Sequence, residues 1–162
     1  MPQRPDPTPP ANDADMAMAR SFLQLPHAAL SYLGADGLPA ISRIALGLDG
    51  DGAPLTLISA LAPHFAGLRA QPACALLLGE PGPKGDPLTH PRLMLRARAC
   101  FANAAERQSL RDLWLSNHPK AKLYIDFTDF AFVRLQPVDA LLNGGFGKAS
   151  RLSTDDLRAR PA

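Results

Sequence analysis

Turn signals at short intervals between alternating apolar segments are the feature that most constrains the fold of this 162-residue sequence. Asp-Gly dipeptides favour tight hairpin turns, and alternation of apolar and polar residues favours strands with one buried face. Asp36-Gly37 is one such turn, and Asp49 to Gly52 contains another. The first three predicted strands lie at 27–34, 38–48 and 54–59. The sequence therefore predicts antiparallel β-structure that begins as a three-stranded meander.

Helical segments interrupt the predicted strands one at a time. A helix from Asp13 is closed by Pro26, a second begins at Pro63, and Asn103 with Glu106 forms the capping box of a third. The remaining predicted strands lie at 73–78, 92–101 and 130–142. Six strands with single helical insertions predict a mainly β fold, a closed or nearly closed antiparallel barrel with peripheral helices.

The domain boundaries follow from composition. Prolines at positions 2, 5, 7, 9 and 10 predict a disordered tail over 1–13. One domain is then expected over 14–150, and the glycine-rich segment 143–147 predicts a flexible end, with a flexible C-terminal tail over 151–162. No apolar run approaches the roughly 20 residues that span a bilayer, and the first residues do not form a signal peptide. We therefore expect a cytoplasmic protein without a membrane partner.

Charge and cysteine content limit the possible partners. The formal net charge of +2 is too small to indicate nucleic acid, and it suits a site for an anionic small molecule. Cys74 and Cys100 each lie in an apolar segment, which favours free thiols over a disulfide. The histidines lack the spacing of metal ligands, so no built-in metal site is expected.

An anion site is predicted where two segments meet. Arg43 falls on the less apolar face of the second strand, because strand side chains alternate. Ser59 ends the third strand, and His64 lies at the start of the following helix, where free amides and the helix dipole favour an anion. In a meander Arg43 could reach the same anion. Two alternatives have similar weight: Arg43 is a solvated arginine on the sheet surface, and His64 is a histidine at a helix end that contacts only solvent.

A further strand carries four outward residues: Arg92, Met94, Arg96 and Arg98. A solvated outer face is the better explanation for Arg96 and Arg98. Arg92 begins the strand beside a proline-rich loop, so we assign it to the neighbourhood of the ligand.

Five short segments in fixed order also carry a family resemblance. They are Asp36-Gly37-x-Pro39 with Ser42-Arg43, Ser59-x-Leu61-Ala62-x-His64, Gly85-Asp86-Pro87-Leu88 with Pro91-Arg92-Leu93, Asp126-Phe127-x-Asp129-Phe130, and Asn143-Gly144-Gly145-Phe146-Gly147. Together these segments, which cover about residues 20 to 150, resemble the pyridoxamine 5'-phosphate oxidase-like flavoproteins. Within that family they are most similar to the branch of the HugZ-type heme-degrading proteins.

The resemblance implies an FMN-binding split barrel that works as a homodimer, with the cofactor at the subunit interface. The family-matched FMN positions are Arg43, Ser59, Ala60 and His64. Phe65 and Gly67 depart from the family pattern, which usually has threonine and asparagine there. The C-terminal extension domain of the heme-degrading relatives, with its iron-ligating histidine, is not matched.

Three functions remain open from the sequence. The leading hypothesis is an FMN-dependent oxidoreductase acting on a small molecule. The alternative is a heme-binding or heme-degrading protein of the HugZ type, in which His27, His90 or His118 replaces the missing ligand. The third is a flavin-binding protein without catalytic activity.

Overall fold

The structure is a computed structural model that describes residues 8–158. Residues 1–7 of the predicted N-terminal tail and residues 159–162 of the predicted C-terminal tail lie outside the described residues. Among the residues described, no helix is both long and apolar enough to cross a membrane.

Eight strands and four α-helices make up the described chain. The strands are β1 His27–Leu33, β2 Pro39–Ala45, β3 Gly47–Leu48, β4 Pro54–Ser59, β5 Ala73–Leu78, β6 Arg92–Phe101, β7 Phe130–Gly145 and β8 Lys148–Leu152. The α-helices are α1 Asp13–Leu23, α2 Pro63–Ala70, α3 Arg107–Asn117 and α4 Thr154–Leu157. Short 3₁₀ turns lie at Pro87–Thr89, Ala104–Glu106 and Pro119–Leu123.

The strands form one antiparallel sheet in the order β2-β1-β5-β6-β7-β4-β3, with β8 paired to β7. The sheet curls so that its two ends approach each other, and the Thr56 hydroxyl on β4 donates to the Ala45 carbonyl of β2 at 2.7 Å. The helices lie at the periphery of this half-barrel. The predicted mainly β, antiparallel split-barrel architecture is therefore confirmed.

The predicted meander of the first three strands is confirmed only in part. The predicted second strand, 38–48, divides into β2 and the two-residue β3, and only β3 pairs with β4, with Gly47 opposite Leu55 and Leu48 opposite Pro54. β1 and β2 form the expected hairpin, but β4 pairs with β7, from Leu55 opposite Arg134 to Ser59 opposite Phe130. Five of the six β4 residues are buried. The local turn signal at Asp49–Gly52 accounts for the short pairing of β3 with β4. A strand buried in this way needs a ladder partner on its other edge as well, and the long β7 supplies it.

The C-terminal segment is more ordered than the sequence predicted. β7 continues through Asn143 to Gly145, a tight turn with positive φ at Gly145 and Gly147 follows, and β8 returns along β7. The glycines serve a hairpin here, since only glycine adopts such angles easily. Ser153 then caps α4, within the predicted flexible tail.

The N-terminal boundary also differs from the prediction. The Ala11 amide donates to the Arg151 carbonyl at 2.9 Å, and the Arg151 amide donates to the Pro9 carbonyl at 2.9 Å. Residues 9–11 therefore add a short pairing to β8, although they fall in the segment predicted to be disordered. Prolines cannot donate, but their carbonyls accept hydrogen bonds as well as any other.

Alternation gives the sheet an inner and an outer face. Inner residues such as Leu30, Leu76 and Leu95 are fully buried in the main core. Outer residues such as Ile41 and Arg43 on β2 are exposed, as the sequence predicted. The outer face is therefore where a ligand or a second chain can be contacted.

Candidate functional site

One outward residue from each of six neighbouring strands lies in line across the sheet. The residues are Arg43, Ala29, Leu77, Met94, Leu141 and Arg151, in the strand order β2, β1, β5, β6, β7 and β8. Residues that are directly opposite in antiparallel strands share a face and contact one another. We call the four central side chains, Ala29, Leu77, Met94 and Leu141, the apolar row. It is an apolar stripe with an arginine at each end.

Polar residues lie beside the apolar row, two positions further along the strands. His27 on β1 and Arg92 opposite Asn143 stand on one side of it. On the other side, Arg96 forms a two-pronged hydrogen-bonded pair with Asp139. Arg96 therefore already has a counter-ion. On the opposite side of the apolar row, the side chains of His27 and Arg92 border the apolar surface.

Glu80, which follows β5, contacts two of these residues. Its Oε1 lies 3.5 Å from His27 Nε2 and 3.9 Å from Arg43 Nη2. The Arg43 side chain is 76% exposed and that of Glu80 is 67% exposed. Exposed ion pairs contribute little free energy, so Arg43 can exchange Glu80 for another anion at small cost.

Arg92 lies on the same face as Arg43, but three strands away, since β1 and β5 lie between β2 and β6. Its Nη1 donates to the carbonyl of Leu88 at 3.1 Å and to that of His90 at 3.2 Å. Arg92 thus anchors the end of the proline-rich loop.

Ser59 and Ala60 are engaged by a residue that the sequence analysis did not consider for the site. The Ser59 hydroxyl donates to Asp129 Oδ2 at 2.5 Å and accepts the Leu61 amide, and the Ala60 amide donates to the Asp129 carbonyl at 2.7 Å. The two predicted anion donors are thus both occupied by Asp129, the Ser59 hydroxyl by its carboxylate and the Ala60 amide by its backbone carbonyl. The pairing of β4 with β7 brings Asp129 there, and no local sequence signal reveals that pairing.

His64 contacts the inside of the barrel. Its ring lies edge-on to Tyr32, with 5.9 Å between the centroids, and its Nδ1 is buried without a hydrogen-bond partner. Burial lowers the pKa of His64, so the neutral imidazole predominates at neutral pH. Tyr32 is an inner residue of β1, whereas Arg43 is opposite the outer residue Ala29. His64 and Arg43 therefore contact different faces of the sheet.

Two of the other histidines have structural partners. The His118 ring stacks on Trp114 at 4.2 Å, and its Nε2 lies 2.8 Å from the Leu46 carbonyl. His90 uses both ring nitrogens within the proline-rich loop, at Gly82 and Lys84. His27 differs from them because it lies on the outer face and meets only the exposed Glu80 in the described part of the chain.

The largest described cavity, about 720 Å³, lies elsewhere. Its lining includes Asp49, Glu106 and Arg134, and Arg134 bridges the two carboxylates at 2.7 Å each. None of the predicted ligand residues lines this cavity. Its charged groups are largely paired with one another, so they serve mainly to join the β3–β4 turn to β7 and to the start of α3.

Comparison with known proteins now identifies the family. The family described as CREG, beta-barrel, matches residues 36–158, which is more than half of the chain. The chain belongs to the CREG β-barrel family. The fold agrees with this assignment, since a protein of the pyridoxinephosphate oxidase family from Clostridium acetobutylicum has the same architecture. That structure is 15% identical, with a TM-score of 0.69, and the match covers 91% of this chain and 99% of that one.

Two relatives of this CREG β-barrel chain are named for heme. The chloroplastic Non-canonical heme oxygenase HOZ of Arabidopsis thaliana is 35% identical over 104 residues, which are 63% of this chain and 30% of that protein. A heme binding protein from Mycobacterium smegmatis is 27% identical, with a TM-score of 0.79, covering 91% of this chain and 60% of that one. The CREG β-barrel chain thus spans less than two thirds of the length of either relative.

The predicted FMN cofactor is wrong. Two relatives that are more than 25% identical to this chain are named as a heme oxygenase and a heme binding protein, and they point to heme instead of flavin. The prediction failed because fold and short motifs are shared by proteins that bind different cofactors.

Proposed function

We propose that this CREG β-barrel protein binds heme on the outer face of its sheet, with the macrocycle against the apolar row. The observation that carries the proposal is the row itself, an outward-facing stripe of exposed Leu77 and half-buried Ala29, Met94 and Leu141 with Arg43 at one end. The heme-related names of two relatives support it.

The chemistry of the residues fits the chemistry of heme. A porphyrin presents a broad apolar surface, which gains free energy when it is packed against apolar side chains. Leu77 is 48% exposed, so the row still has surface to bury. The propionates of heme are carboxylates, and Arg43 is a guanidinium whose present partner, Glu80, is itself a carboxylate.

His27 is the histidine that we assign as iron ligand. It lies beside the row on the same face, and Glu80 contacts it together with Arg43. His90 and His118 are committed to carbonyl and amide partners, and the unpaired Nδ1 of His64 is on the inner side. Bound heme would bring iron chemistry to this face, and the protein would supply the ligand and the counter-charges.

A second copy of the chain is the partner that we propose for the remainder of the outer face. Ile41 is 75% exposed and neighbours the apolar row, and exposed apolar patches on β-sheets commonly mark protein interfaces. One sheet face can cover only one side of a planar ligand. A homodimer joined through this face would cover the other side.

Heme degradation is a second candidate, favoured by the 35% identity to a heme oxygenase. Aerobic incubation of the hemin complex with a reductant separates the two functions. Loss of the Soret band with release of an open-chain tetrapyrrole and iron indicates degradation, and an unchanged Soret band indicates binding alone.

The binding proposal is tested by hemin titration of the purified protein. Replacing Leu77 by Glu places a charge in the apolar row, and Arg43→Ala removes a counter-charge. Each change is expected to weaken hemin binding about tenfold or more. Leu123→Glu is the matched control, because Leu123 is 81% exposed on a 3₁₀ turn away from the row. Equal hemin affinity in wild type and Leu77→Glu would contradict the proposed site.

A further inference from the structure

The loop between β5 and β6, residues 79–91, is held at its centre by one histidine. His90 Nδ1 accepts the Gly82 amide at 3.1 Å, and His90 Nε2 donates to the Lys84 carbonyl at 2.8 Å. Residues 81–89 are all exposed. Among the hydrogen bonds of the described residues, the ones that hold segment 81–85 both end on His90.

This arrangement requires one protonation state. Nδ1 can accept only while it carries a lone pair, and Nε2 can donate only while it carries a proton, so the ring must be the neutral Nε2–H tautomer. When a proton adds to Nδ1, that atom becomes a donor facing the N–H of Gly82. The hydrogen bond is then lost, and the N–H groups of His90 Nδ1 and Gly82 face each other.

The contact with Gly82 is also too close to be incidental. A Cβ added at Gly82 would lie 2.9 Å from His90 Cε1, so a larger residue there would require the ring to shift from this position. The loop is therefore fitted to the imidazole through both its hydrogen bonds and its shape.

Charged groups surround the histidine from several elements. The charged residues of the loop itself are Glu80, Lys84 and Asp86, and Arg92 on β6 donates to the His90 carbonyl. The β7–β8 turn comes near the loop, since a Cβ built at Gly145 would lie 3.4 Å from the Thr89 carbonyl, and Lys148 follows that turn. Asp86 is engaged in the turn that precedes the histidine, where Oδ1 accepts the Leu88 amide. Its side chain is thus not the partner of the ring.

We infer that His90 is a pH-sensitive clamp, which holds the loop 79–91 when neutral and releases segment 81–85 when protonated. The loop begins beside Glu80, the residue that contacts both Arg43 and His27. This behaviour belongs to the protein alone and does not depend on heme binding.

The test is amide hydrogen exchange of the apoprotein between pH 8 and pH 5, corrected for intrinsic exchange. We expect the protection of the Gly82 amide to fall about tenfold or more on acidification, while amides of β6 keep theirs. ¹⁵N NMR of the His90 ring is expected to show the Nε2–H tautomer at pH 8. A Gly82 protection factor that is constant over this range, or an Nδ1–H tautomer at pH 8, would overturn the inference.

Two variants assign the transition to the correct group. In His90→Leu the Gly82 amide should be poorly protected at both pH values, with no step. In Glu80→Gln the step should persist, because the bonds of His90 are intact and a titrating carboxylate has been removed. A step that survives in His90→Leu, or disappears in Glu80→Gln, would assign the effect to another residue. Unchanged exchange of β6 amides in His90→Leu verifies that this variant is folded.

Discussion

At the scale of single residues, Asp49 is a heavily committed polar side chain. Its Oδ1 accepts the amides of Asp51 and Ala53, and its Oδ2 accepts Arg134 Nε at 2.7 Å. The Asp49 side chain is 4% exposed and that of Arg134 is 19% exposed. A buried ion pair is costly to break, because the partner is left as an uncompensated charge.

We therefore expect Asp49→Ala to lower the free energy of unfolding by about 3 kcal/mol, since it leaves two amides and part of a guanidinium without acceptors. Urea denaturation measures the change. Asp51→Ala is the matched control, because Asp51 is exposed in the same turn and its replacement should cost under about 0.5 kcal/mol. Equal losses in the two variants would show that the network does not stabilise the fold.

The pair of Arg96 and Asp139 predicts a pH effect. Arg96 holds the pKa of the Asp139 carboxyl below its usual value through hydrogen bonds and charge. A carboxyl with a depressed folded-state pKa stabilises the fold above its unfolded-state pKa, and this contribution is lost as pH falls through the folded-state value. Asp139→Asn should therefore be slightly less stable than wild type at neutral pH and equally stable in strong acid. A difference that persists in strong acid would contradict this linkage.

At the scale of elements, most strands could be predicted because their signals are local. The predicted bounds 54–59, 73–78 and 92–101 coincide with β4, β5 and β6. The pairing of β4 with β7 could not be predicted, because it depends on contacts between distant segments. The same limit hid Asp129 beside Ser59 and the alignment of the apolar row, since alternation gives each strand its outward residues but not the register between strands.

Helix α2 provides a test of packing at this scale. A Cβ at Gly67 would lie 2.6 Å from both the Leu33 carbonyl oxygen and Tyr32 Cδ2. Alanine has the higher helix propensity, but the overlap with backbone outweighs this gain. We expect Gly67→Ala to lower the free energy of unfolding by about 1–3 kcal/mol.

Thermal or urea unfolding measures this effect. Gly50→Ala serves as the control, because no atom lies within 4 Å of a Cβ built there. A Gly67→Ala variant as stable as wild type would mean that α2 can move away from β1 at little cost.

At the scale of the whole molecule, the outer face should join two copies of the chain. Met94→Glu places a charge at the middle of the apolar row, opposite Leu77 and Leu141. We expect wild type to be a dimer and Met94→Glu to be a folded monomer at micromolar concentration, because a buried unpaired carboxylate is costly. Light scattering after size-exclusion chromatography measures this, with Leu123→Glu as the dimeric control. A monomeric wild type would rule out the proposed interface.

The outer face is proposed to bind heme through His27, and the absorption spectrum of the hemin complex reports this coordination. We predict that wild type gives a saturable Soret shift typical of an imidazole-ligated heme, that His27→Ala loses this spectrum, and that a conservative change of the stacked His118 to Asn keeps it. A wild-type spectrum identical to that of free hemin, or an unchanged spectrum in His27→Ala, would contradict the assignment.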